Sequence, residues 1–124
     1  MFLPAKLREQ LGESVVMIKS IDKCIAVYPM DAWNSFTEKL EALPEIQARK
    51  VKRFIYSSAV DSQPDSQGRV LIPQNLKEYA ELEGSAIVIG NGDHCEIWNE
   101  ALYNAEMESA DTEDMAQTLI ALGF

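Results

Sequence analysis

Histidine is nearly absent from this chain: His94 is the only one among 124 residues. That excludes most histidine-based acid–base catalysis and metal ligation. Cysteine is scarce too. Cys24 and Cys95 stand alone without a C-x-x-C spacing, so neither a disulfide framework nor a zinc site is encoded. No stretch approaches the ~20 consecutive apolar residues of a membrane span. The N-terminus has no basic segment followed by an apolar one, so no secretory signal is read and a reducing cytoplasm is expected. No phosphate-cradling glycine loop or dinucleotide fingerprint occurs. Basic residues are nearly missing from the second half. Residues 61–124 hold Arg69 and Lys77 against thirteen acidic side chains, whereas residues 1–60 hold nine basic and seven acidic ones.

What is present is an ordinary apolar fraction, 47%, with a net charge of −9. That composition suits one domain, or two small halves that share a core. A charge this negative argues against non-specific nucleic-acid binding by a lone monomer, although it leaves room for a local basic face. The densest basic cluster is Arg49-Lys50-Val51-Lys52-Arg53. On a helix its four charges cover about 160°, and Ala48, Val51, Phe54, Ile55 and Ser58 fill the opposite arc. A solvated outer face is the simpler reading, with phosphate or partner contact as the alternative.

Periodicity and punctuation give an element order. Residues 3–11 read as a short helix, with Pro4 in its first turn and Gly12 at its end. Val15–Ile18 and Cys24–Tyr28 read as strands joined through Ile21-Asp22-Lys23. Asp31 is expected to cap a helix that places Met30, Trp33, Phe36, Leu40 and Leu43 on one side. Pro44 opens the basic helix, about 45–58. Val60 begins an extended segment, and Gln63–Arg69 is rich in turn formers. Val70-Leu71-Ile72 reads as a short strand and Pro73–Tyr79 as a short helix. Ala86–Ile89 and Cys95–Trp98 read as a hairpin with its tip at Gly90-Asn91-Gly92. Helices follow near 100–109 and from Asp111 to Phe124, the last with Met115, Leu119 and Leu122 on one side.

The most informative pattern is an internal repeat. Leu3-Pro4 matches Ile72-Pro73, and Leu7-Arg8-Glu9 matches Leu76-Lys77-Glu78, at an offset of 69. Val27-Tyr28 then matches Ile97-Trp98, and Trp33 matches Tyr103, at an offset of 70. The expected product is a pseudo-twofold pair sharing one core, because each half is small for independent stability. In the second copy, residues 60–69 supply an extended segment, a turn and an arginine. The matching positions of the first copy would lie ahead of Met1. The sequence therefore reads as an N-terminally shortened form, or as one whose start was placed late.

The run Asp65-Ser66-Gln67-Gly68-Arg69-Val70-Leu71-Ile72-Pro73 resembles the D-x-x-G-R-[hydrophobic]-x-[IL]-P motif of MraZ proteins, whose domains belong to the AbrB-like swapped-hairpin superfamily. Phe2–Glu9, Val27-Tyr28-Pro29 with Trp33, and Glu96-Ile97-Trp98 extend the resemblance to about residue 110. It implies an α+β fold: a tandem pseudo-twofold repeat of AbrB-like strand and short-helix units around a double-split β-barrel-like core, with flanking helices. The expected division is a first repeat at 1–59, lacking its opening strand and turn, a second at 60–110, and a helical tail at 111–124. It also implies a bacterial DNA-binding transcriptional regulator, cytoplasmic and nucleoid-associated. Such proteins act on short direct repeats at the promoter of the division and cell-wall gene cluster, as a ring-forming homo-oligomer. The family has two D-x-x-x-R motifs per chain. This sequence matches the second, and lack of the first is expected to leave the first half's strand pairing open.

The residues support that reading on their own chemistry. Asp65 can accept backbone N–H bonds across the turn, and Gly68 can adopt positive φ, so both are turn-structuring. Arg69 then projects from a rigid turn, where its planar fork suits phosphate oxygens or a guanine edge. Arg69 could instead pair with Asp65 to hold the turn, and both roles can coexist. Lys77 is a secondary candidate for backbone contact, with plain exposure as the alternative. Cys24 and Cys95 read as small buried fillers. Strand alternation splits Asp93-His94-Cys95-Glu96 between two faces, so no metal site, nucleophile or cofactor is expected. A DNA-binding regulator without catalysis is the first reading, and an oligomeric interaction module that does not bind DNA is the second.

Overall fold

The computed structural model describes residues 1 and 3–123, leaving out the side chains of residues 5–7. In chain order the elements are α1 (Ala5–Leu11), β1 (Val15–Lys19), β2 (Ile25–Pro29), α2 (Met30–Glu41), α3 (Glu45–Ser58), β3 (Val60–Ser62), α4 (Gln74–Ala80), β4 (Ala86–Asn91), β5 (His94–Asn99), α5 (Glu100–Glu108) and α6 (Thr112–Ala121). This is an α+β fold. The five strands form one sheet in the order β3-β1-β2-β5-β4, antiparallel throughout.

The repeat in the sequence becomes a two-fold in space. At the centre of the sheet β2 pairs with β5, and Ala26 faces Glu96, its own equivalent 70 residues on. A second such point lies at the start of the chain. The Val70 N–H donates to the Met1 carbonyl (2.7 Å), and the Met1 amino group donates to the Val70 carbonyl (3.0 Å). Met1 and Val70 are also equivalents, 69 apart. An antiparallel pair of identical segments meets itself only on a two-fold axis, and here that occurs twice. β3 interlocks the halves: it follows α3 in the chain yet pairs with β1 of the first half, Val60 opposite Met17 and Ser62 opposite Val15.

Both sheet faces are covered, which is why β1 and β2 read as unbroken apolar runs. Alternation sends Val15, Met17, Ile25 and Val27 to one side, with Leu76 of α4, Cys95 and Ile97. Val16, Ile18, Ala26 and Tyr28 go to the other, against Ala32 and Leu40 of α2 and Ile55 of α3. Pro44 sits at the N-cap of α3, and the helix ends at Ser58 as expected.

Several expectations are corrected. Val70-Leu71-Ile72 forms no strand of the sheet: among the described residues, Val70 exchanges its backbone hydrogen bonds with Met1 alone. Alternation survives there: Val70 and Ile72 are buried and Leu71 is exposed. Asp31 does not cap α2. β2 runs into α2 with no linker, so Pro29 takes the N-cap and Asp31 sits in the first turn, where a carboxylate still favours the helix dipole. Met30 and Leu43 face solvent. The hairpin tip moves on by one: Asn91 pairs with His94, and Gly92-Asp93 make the turn, with Gly92 at φ +74°. The first half's β1 is paired on both edges, because β3 crosses to it. The edges of the sheet are β3 and β4.

Candidate nucleic-acid interface

The turn after β3 is built by one carboxylate. Asp65 Oδ1 accepts the backbone N–H of Gln67 (2.9 Å) and of Arg69 (2.9 Å). The Gly68 N–H donates to the Asp65 carbonyl (2.9 Å), and the Asp65 N–H donates to the Arg69 carbonyl (3.0 Å). Asp65 Oδ2 accepts Arg69 Nε at 2.6 Å. Gly68 has φ +82°, a conformation that L side chains rarely adopt. The backbone N–H of Arg69, then its side chain and the N–H of Gln67, hold the Asp65 carboxyl below its usual pKa.

The first half supports this turn from beneath. The Leu3 N–H donates to the Gly68 carbonyl (2.8 Å). The Arg8 side chain of α1 lies against Gly68 so closely that a Cβ there would sit 2.1 Å from Arg8 Cδ. Arg8 Nε is buried and has no hydrogen-bond partner among the described residues. In the sequence Arg8 is legible only as a marker of the repeat, and no local pattern shows that it reaches across to the other repeat's turn.

Arg69 is therefore both paired and displayed. Its side chain is 55% exposed while its Nε rests on Asp65. An exposed pair of this kind is screened and adds little net stability, so it orients the guanidinium without sequestering it. The pairing with Asp65 expected from the sequence is formed, and it leaves more than half of the Arg69 side chain exposed. Lys77 is exposed in the last turn of α4 and lines a groove with Glu78, Glu81 and Glu83. Those carboxylates oppose phosphate there. On α3, Arg49, Lys50 and Arg53 are exposed, whereas Lys52 binds Glu41 of α2 (3.0 Å), which also accepts the Tyr56 hydroxyl (2.9 Å).

His94 and Cys95 lie on β5, and Cys24 directly precedes β2. Cys24 and Cys95 are fully buried, and burial pushes their thiols up to about 12 and about 11. His94 stacks on Tyr28, centroids 4.4 Å apart, and its Nδ1 lies 2.9 Å from Asp93. Cys95 points to the opposite sheet face. Among the described residues no three His, Cys, Asp or Glu side chains gather as a metal site, and no helix is long and apolar enough to cross a membrane.

The family model described as "MraZ protein, putative antitoxin-like" matches the chain twice, at residues 1–54 and 55–121. The chain is similar to the transcriptional regulator MraZ of Desulfitobacterium hafniense strain DCB-2, 42% identical over all of this chain and 90% of that protein. The protein of the same name from Pelotomaculum thermopropionicum is 45% identical over all of this chain and 88% of its own length. That from Heliobacterium modesticaldum is 42% identical over 97% of this chain and 87% of its own.

Proposed function

The chain belongs to the MraZ family, and from that membership and the display of Arg69 we propose that it is a transcriptional regulator that binds duplex DNA sequence-specifically. It acts in the cytoplasm at the nucleoid, as a ring-forming homo-oligomer on direct repeats in the promoter of the bacterial division and cell-wall gene cluster. It needs no cofactor and performs no catalysis. The crossing of β3 onto β1 supports assignment to the AbrB-like swapped-hairpin class, with repeats at 1–59 and 60–110 and a tail at 111–124.

The observation that carries this reading is the Asp65–Arg69 turn. It presents a half-exposed guanidinium on a backbone fixed by four hydrogen bonds. Such preorganisation leaves little entropy to lose when phosphate or a guanine edge binds. One arginine contact supplies only ~1–3 kcal/mol of discrimination. A chain of net charge −9 therefore needs many aligned copies, which an oligomer provides by multivalency. Lys77 is a secondary backbone contact, engaged only if the duplex spans the groove beside its glutamates. The second reading, an interaction module without DNA, draws on the acidic second half and the exposed stripe of α6.

A gel-shift titration separates the two. The chain is compared with a version in which residues 60–69 are copied ahead of Met1, on a direct-repeat promoter duplex and a scrambled one. Both proteins retard the direct-repeat duplex at low salt, and the extended one binds more tightly. Failure of both on that duplex refutes DNA binding.

A further inference from the structure

α3 borders an apolar depression of about 370 Å³, walled by Ile21, Val51, Phe54, Ile55 and Tyr79 with Lys50 at its lip. Ile21 is 80% exposed on its wall. Lys19, Lys23 and Lys50 outnumber Asp22, the acid whose charge acts on Tyr79, around it. The Lys19 and Lys23 ammonium groups lie over the Tyr79 ring, 5.2 and 5.0 Å from its centroid, and Arg49, Lys50 and Arg53 line exposed α3. An exposed apolar patch with a polar rim marks an interaction site.

The same chain carries the complementary shape. α5 and α6 bury no residue, so nothing described covers the α6 stripe of Met115, Leu119 and Leu122. Its Asp111 cap and first-turn Glu113 and Asp114 are acidic, and no basic residue occurs after Lys77. An amphipathic helix with an apolar stripe and acidic flanks suits an apolar groove with a basic rim.

We propose that α6 of one copy docks in the lysine-rimmed depression beside α3 of a second copy, joining protomers head to tail. The contact is heterologous: each copy offers one helix and one groove, so successive copies either close into a ring or run on as a filament. This inference rests on the oligomer part of the function proposed above and names the surface that would form it.

Charge swapping tests it by light scattering after size exclusion. Four proteins are compared: the unaltered chain, Lys50→Glu with Arg53→Glu, Glu113→Lys with Asp114→Lys, and all four changes together. All altered side chains are exposed, and circular dichroism checks that each protein stays folded. The unaltered chain elutes as a multimer, each pair of reversals drops the mass to a single chain, and the fourfold variant recovers the multimer. A one-to-one mixture of the two double variants also recovers the multimer, since each cross-contact pairs opposite charges and the two proteins alternate; a mixture that stays single-chain overturns the pairing. Multimers that survive both reversals overturn this interface and leave the oligomer reading intact. Failure of the fourfold variant to recover overturns the pairing of these two surfaces. A single-chain mass for the unaltered protein refutes the oligomer and the interface together.

Discussion

Replacing Gly68 by alanine tests whether the two halves meet at the Arg69 turn as described. Two costs act together. A φ of +82° strains any L side chain by roughly 1–2 kcal/mol. The new Cβ also lands 2.1 Å from Arg8 Cδ, 2.6 Å from Nε and 2.7 Å from an Nη atom, so the Arg8 side chain must leave its site, at about 1–3 kcal/mol for overpacking. The total, about 2–5 kcal/mol, is a large share of the ~5–15 kcal/mol that holds a typical domain. At roughly 4 °C per kcal/mol for a domain of this size, thermal unfolding shifts down by about 8–20 °C. Gly92→Ala isolates the first cost, since Gly92 has φ +74° in a two-residue hairpin turn with nothing within 4 Å of its added Cβ. Arg8→Ala combined with Gly68→Ala removes the second, so the double variant is more stable than additivity predicts, with coupling on the order of 1–3 kcal/mol. Calorimetry on the four variants measures this. If Gly68→Ala costs no more than Gly92→Ala, and Arg8→Ala brings no relief, the contact between the repeats is wrong.

Three further expectations follow from the same geometry. Asp65 has a lowered pKa in the folded chain, so its contribution is fully present above the unfolded aspartate pKa and is lost as pH falls through the lowered value. The Arg69 amide resonance should then move and exchange faster in acid, and Asp65→Asn should show that behaviour at neutral pH. Cys24 and Cys95, with pKa values near 12 and 11, should resist Ellman's reagent in the native protein and both react after unfolding. Asn99 Oδ1 caps α5 through the Leu102 N–H (3.1 Å), and its Nδ2 donates to the Glu81 carbonyl (2.7 Å). Asn99→Ala should therefore cost about 1–2 kcal/mol in a denaturant titration.

Local chemistry made much of this fold legible. Pro44 and the arc of Ala48, Ile55 and Ser58 located α3, and the β-branched runs located β1, β2, β4 and β5. The repeat offsets anticipated a two-fold, and the Ala26–Glu96 and Met1–Val70 pairings lie on it. The Asp65 and Gly68 roles in the turn followed from residue type alone. Long-range choices were not legible. β3 is three residues long with a central aspartate, and only tertiary topology decides that it joins β1. That crossing pairs the edge of β1 expected to lie open and leaves β3 and β4 as the edges of the sheet. The seat of Arg8 against Gly68 joins residues 60 positions apart, beyond the reach of any local pattern. Asp31 carries a capping side chain, but β2 leaves no room ahead of α2 for it to cap.

The central claim is that Arg69, held by Asp65, meets the duplex. Its most direct test is the salt dependence of promoter binding for the chain and for Arg69→Ala. If each bound protomer places Arg69 on a phosphate, the substitution lowers the slope of log K against log salt by about 0.9 per protomer engaged, and it weakens binding. An unchanged affinity with an unchanged slope would contradict the account.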